Sequence, residues 1–102
     1  MSRLTFATQL SLDFIFGNIK ELPRLGEEVL SAYSDIQLGG GTLVYPIVLS
    51  RLGVECRVIV KKADSIQSDL AYTLLQKHGI HEIITISADD CDPVMATAVI
   101  SL

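Results

Sequence analysis

Gly39, Gly40 and Gly41 stand in a row just ahead of an apolar stretch. Glycines between a strand and a helix let backbone N–H groups come close to a ligand, and the helix N-terminus favours an anion or a polar oxygen. The run is not a P-loop, because no Gly-Lys-Ser/Thr follows, and it is not the spaced G-x-G-x-x-G fingerprint. On its own it reads equally as a flexible strand-to-helix turn. Asp13 is the second candidate, near the end of an alternating run and on the parity opposite its apolar residues. A carboxylate at the C-terminal end of a strand in an α/β sheet lies where ligands bind, and as an acceptor it could hold two adjacent sugar hydroxyls. The plain alternative is a solvent-facing strand residue.

The remaining polar groups are weaker signals. His78 and His81 are separated by the helix breaker Gly79 and have no ligand-spaced Cys, Asp or Glu nearby, so they read as helix-end histidines rather than a zinc site. Asp89, Asp90 and Asp92 lack the alternating oxygen ligands and terminal Glu of a calcium loop and read as a solvated turn. Cys56 sits in an apolar strand and reads as core; Cys91 has no metal-ligand partner spacing. Lys61-Lys62 could meet a phosphate or solubilise a strand end.

These residues need elements to position them. Leu4, Phe6, Leu10, Leu12, Phe14 and Phe16 share one parity, which predicts one long strand or a strand that bends and continues. The stretch from Gly17 to Gly26 reads as a connection. A second alternation, Leu30 to Leu38, predicts a half-exposed antiparallel strand or hairpin. Helical spacing then runs from Leu43 to Leu52, with Thr42 as N-cap, Pro46 near the first turn and Gly53 as the stop. Val54–Val60 reads as a buried strand. A helix capped by Asp64 or Ser65 follows, its buried stripe made of Ile66, Leu70, Leu74 and Leu75 and its end set by Gly79. His81–Ser87 and Val94–Leu102 read as strands.

Strand-helix alternation of this kind predicts right-handed βαβ units and a parallel, three-layer, Rossmann-like α/β sheet, with the alternating segment before the first helix projecting from the sheet edge. The length of 102 residues, 49% of them apolar, suits one domain with a modest core and excludes disorder. Charged residues interrupt every apolar stretch before about 18 accumulate, so no membrane span is predicted. A net charge of −4 argues against nucleic acid as a partner. The N-terminus lacks the continuous apolar core of a signal peptide, and a cytoplasmic location is expected. The chain stops inside an apolar β run, which suggests a piece of something longer.

Together the pieces fall in an order: a strand ending in Asp13, then Pro23-Arg24-Leu25-Gly26-Glu27, then Gly39-Gly40, then an apolar helix closing with Arg51-Leu52-Gly53, then a strand and Asp64-Ser65-Ile66. This resembles the N-terminal third of the ribokinase-like (PfkB) carbohydrate kinases, from about residue 4 to the end, so that 1–102 is the N-terminal portion of such a domain. The resemblance implies transfer of the γ-phosphoryl group of ATP, with Mg2+, to a sugar or polyol. It places an aspartate at Asp13 on the sugar hydroxyls and backbone contacts to the sugar at Gly39, Gly40 and Gly41. Strands around residues 13–38 would form a β lid that covers the sugar and pairs between subunits as a homodimer, excluding water on closure. Val44 stands where the family carries a sugar-binding Asn. The family's catalytic base lies in a Gly-Ala-Gly-Asp motif absent from these residues, so the chain alone is expected to bind no ATP or Mg2+ and to be inactive. A non-catalytic remnant that binds a polyol or pairs through its lid is the alternative.

Overall fold

Alternation along the first sixteen residues serves two different sheets. In the computed structural model, which describes residues 3–88 and 92–101, β1 spans Arg3–Ala7 and β2 spans Ser11–Gly17. Between them the chain changes sheet, so the strand bends and continues. The Thr8 N–H still donates to the Ile59 carbonyl at 2.9 Å, while the Gln9 N–H donates to the Thr42 hydroxyl at 3.3 Å. Leu10 and Leu12, 1% and 0% exposed, bury the crossing.

The first sheet is parallel, with strand order β1-β4-β5, where β4 is Glu55–Lys62 and β5 is Glu82–Ser87. Helix α1, Gly41–Arg51, leads into β4, and α2, Ile66–Lys77, joins β4 to β5. Both crossovers advance the sheet in the same direction, and a fixed right-handedness puts both helices on one face. That face holds one core: Cys56, Val58 and Val60 of β4 pack with Leu43 of α1, Ala71 and Leu75 of α2, and Ile80. Cys56 is core, as its apolar strand predicts. The chain thus carries the sheet and one helical layer of the expected three. On the opposite face Ile84 and Ile86 are 43% and 49% exposed.

The second sheet has order β3-β2-β6, where β3 is Tyr33–Gly39 and β6 is Met95–Ile100. β2 pairs antiparallel with β3 and parallel with β6. This is the projecting β segment, and it is larger than residues 13–38. Two details differ from expectation. Leu30 and Ala32 precede β3, with Leu30 exposed, because residues 27–32 form no ladder. The last strand does not extend the core sheet but crosses to β2.

Helix ends also differ. Gly40, at φ 98°, is the N-cap of α1, because Thr42 lies inside the helix and its hydroxyl serves the Gln9 amide. Pro46 lies inside α1 and is buried, so its missing N–H leaves the carbonyl one turn earlier without its helical donor. Gly53, at φ 92°, ends α1 as expected: its N–H donates to Ser50 O at 3.1 Å and the Val54 N–H to Leu49 O at 3.0 Å. Of the two candidate caps for α2, Ser65 is the one, accepting the Ser68 N–H at 3.1 Å. The buried residues of α2 are Ser68, Ala71 and Leu75. Ile66 is 85% exposed, since two residues before Ser68 is about 200° around the helix.

Candidate functional site

Asp13 is the third residue of β2, in the second sheet rather than at the end of a core strand. Its register neighbours are Gln37 on β3 and Thr97 on β6. Period-2 alternation therefore sorts the second sheet into two faces. Leu12, Phe14, Phe16, Ile36 and Ile100 lie on one face; Asp13, Asp35, Gln37 and Thr97 lie on the other, together with Ile15, Tyr33, Met95 and Val99.

The Asp13 carboxylate leans over Gly39. A Cβ at Gly39 would lie 2.6 Å from its Oδ1 and 2.8 Å from its Oδ2, so only glycine fits while the carboxylate holds this position. At Gly40 the left-handed backbone turns the chain into α1, and a Cβ there would lie 3.4 Å from Gln9 O. Gly41 opens α1 with nothing within 4 Å of a built Cβ. No side chain caps this helix end. The structure thus brings Asp13 and Gly39 into contact and puts the α1 N-terminus one residue beyond Gly40. A carboxylate that accepts and amide N–H groups that donate can together hold neighbouring hydroxyls. Val44, 55% exposed in the first turns of α1, adds no hydrogen-bonding group.

Asp35 is a polar residue of the second sheet that its place in an exposed alternating strand does not single out. Gln37 Nε2 donates to its Oδ2 at 3.0 Å and the Ile36 N–H to its Oδ1 at 2.8 Å, with the Tyr33 hydroxyl at 3.4 Å. The Gln37 bond first, then the Ile36 N–H, hold the Asp35 carboxyl below the usual carboxylate range, against a smaller upward effect of burial. No other signal marks it, because its partners are strand neighbours.

At the C-terminal ends of β1 and β4, a cavity of about 290 Å3 is lined by Thr8, Gln9, Leu10, Lys61 and Pro93. Ligands of open α/β sheets occupy such crevices. The lysine pair is split here: Lys61 lines the cavity, while Lys62 reaches Asp69 at 2.5 Å and lies 6.0 Å from the Tyr72 ring centre. His78 caps the C-terminus of α2 and meets Arg51 at 3.0 Å, while His81 lines a separate cavity at the opposite end of the sheet. Among the described residues no three His, Cys, Asp or Glu side chains gather as a metal would require. Nor is any helix there long and apolar enough to cross a membrane. Asp89, Asp90 and Cys91 lie outside the described residues. Asp92 is no solvated turn residue: it is half-buried, accepts hydrogen bonds from the Ser65 hydroxyl, from the Ser68 hydroxyl at 3.0 Å and from the Val94 N–H at 3.0 Å.

A carbohydrate kinase from Agrobacterium tumefaciens superposes with a TM-score of 0.75 at 19% identity, over 98% of this chain and 32% of that one. Phosphofructokinase-2 from Escherichia coli, solved with fructose-6-phosphate, superposes with a TM-score of 0.72 at 19% identity, over 92% of this chain and 30% of that one. The chain has the fold of the N-terminal part of a ribokinase-like carbohydrate kinase. A nucleoside kinase from Methanocaldococcus jannaschii, an archaeal member of the ribokinase family, gives 0.63 at 17% identity over 92% of this chain and 31% of that one. The chain therefore spans about a third of the length of these ribokinase-like proteins. No family model matches it, and no curated protein matches it in sequence.

Proposed function

We propose that residues 1–102 are the N-terminal portion of a PfkB-type kinase domain, supplying the sugar-binding and lid region of an ATP-dependent carbohydrate kinase in the cytoplasm. The observation that carries this is the Asp13 carboxylate lying over Gly39 at the foot of a β lid, beside the uncapped N-terminus of α1. In this reading Asp13 accepts from two adjacent hydroxyls, and the backbone of Gly39, Gly40 and Gly41 approaches the same molecule. ATP with Mg2+ would supply the transferred phosphoryl group. The Gly-Ala-Gly-Asp motif that carries the catalytic base of the kinases this chain resembles does not occur in these 102 residues. Binding and covering the sugar are therefore the roles assigned to this chain.

The charge carried by the lid strands narrows the substrate class. Asp13 and Asp35 are its charged groups, and no Lys or Arg stands in β2, β3 or β6. A sugar phosphate would meet two carboxylates and no cation there, while the hydroxyls of a neutral polyol could donate to the Asp13 carboxylate. An NMR titration of the chain with neutral sugars and polyols (fructose, ribose, ribitol) and with fructose-6-phosphate, the ligand of the similar phosphofructokinase-2, tests this. The neutral compounds are expected to shift amides of β2 and of residues 39–43, and Asp13→Asn to weaken that binding by about tenfold, the loss of one charge-assisted hydrogen bond. Binding of the phosphate instead would reject the neutral class, and no shift with any of them would reject the site. The exposed Val44 favours a second reading, a non-catalytic remnant that binds a polyol or pairs through the apolar lid face.

A further inference from the structure

The lid must be held at a fixed place for Asp13 to meet a ligand, and one contact does this from an element far away in sequence. β5 ends where the Ala88 N–H donates to Lys62 O at 3.2 Å, and Asp92, ahead of β6, crosses the N-terminus of α2. At that crossing Asp92 accepts from the Ser65 hydroxyl, from the Ser68 hydroxyl at 3.0 Å and from the Val94 N–H at 3.0 Å. Ser68 is fully buried, and its oxygen also accepts the Ala63 N–H at 3.1 Å, so Asp92 is tied through it to the β4–α2 turn. The positive end of the helix dipole favours a carboxylate here.

From Asp92 the connection to the candidate site is short. Val94 precedes the first residue of β6, Met95, whose carbonyl accepts the Ser11 hydroxyl at 3.2 Å. Ser11 is two residues from Asp13, and Thr97, two residues after Met95, is the register partner of Asp13. We infer that Asp92 is a positioning residue that fastens the third lid strand to the N-terminus of α2 and thereby holds Thr97 and β2 in place at the Asp13 site. It touches no substrate in this role. The inference rests on the lid reading of the β3-β2-β6 sheet, but it can be tested without any ligand.

Amide hydrogen exchange on the chain, its Asp92→Ala variant and its Asp92→Asn variant tests it. Asp92→Ala is expected to speed exchange of the hydrogen-bonded β6 amides about tenfold and to leave β4 and the second half of α2 unchanged. Asp92→Asn keeps an acceptor for Val94 and Ser68 and is expected to restore β6 to within about threefold of the parent. Unchanged β6 protection in Asp92→Ala overturns the inference. So does an equal loss in both sheets, or a failure of Asn to restore what Ala removes, because either reports general destabilisation. A negative result here leaves the polyol reading standing, and failure of every sugar to bind leaves this result intact.

Discussion

At the scale of single residues, Gly39 is the most constrained position near Asp13. Gly39→Ala would put a methyl 2.6 Å from Asp13 Oδ1, so the carboxylate has to rotate away. The expected outcome is a loss of polyol affinity of about tenfold or more, with little change in melting temperature because the backbone there needs no glycine-only φ. Calorimetric titration and a melt of the same sample check both halves. A drop in stability with affinity retained would mean that Asp13 is structural. Asp13 and the glycines were legible as candidates from residue type and order. Their contact was not, because it comes from the β2–β3 register that sets Ser11 opposite Gly39. Asp92 reads from sequence as a solvated turn residue for a related reason: its hydroxyl partners lie 27 and 24 residues earlier, beyond the reach of any local pattern.

Elements whose ends are closed by their own neighbours were legible, and those closed from elsewhere were not. Gly53 stops α1 and Ser65 caps α2 within a few residues, so local chemistry suffices. Thr42 was expected to cap α1, yet the Gln9 amide, 33 residues earlier, takes its hydroxyl. Asp92 accepts from the two serine hydroxyls at the N-terminus of α2, and this makes the stability of that end depend on pH. The Ser65 hydroxyl first, then the Val94 N–H, the Ser68 hydroxyl and the Lys62 charge, hold the Asp92 carboxyl below the usual range, against burial. A carboxyl with a lowered folded value binds its proton less readily than in the unfolded chain, near about 3.9. Its contribution is complete above that value and is lost as pH falls through the folded one. Thermal melts from about pH 6 to pH 2 are expected to show a steeper acid decline in the parent than in Asp92→Asn. Parallel curves would show that Asp92 does not carry the effect.

For the whole molecule, the main consequence of the fold is apolar surface left uncovered. The helix-free face of the core sheet exposes Ile84 and Ile86, and the outer side of α1 exposes Val44, Tyr45, Val48 and Leu52. The second sheet adds exposed Ile36 and Ile100 on the face of Phe16, and Tyr33, Met95 and Val99 on the other. A helix apolar on all sides belongs in an interior, so self-association is the expected behaviour in solution. If pairing runs through the lid, Phe16→Glu is expected to yield a monomer in light scattering while Ile84→Glu leaves the dimer. The reverse pattern would move the interface to the core sheet. The α/β character was legible from alternating strand and helix periods, but the destination of β6 was not, since an apolar β run does not name its neighbour. That destination also orders events in time. Ser11 and Met95 are 84 residues apart, so β2, the central strand of the second sheet, gains its second neighbour only through a contact of long sequence separation. Until then the hairpin of β2 and β3 presents an open edge beside Phe14 and Phe16, a template for pairing with other chains. A contact this distant in sequence is slow to form, so the docking of β6 is expected to set both the slow step of folding and the window for aggregation.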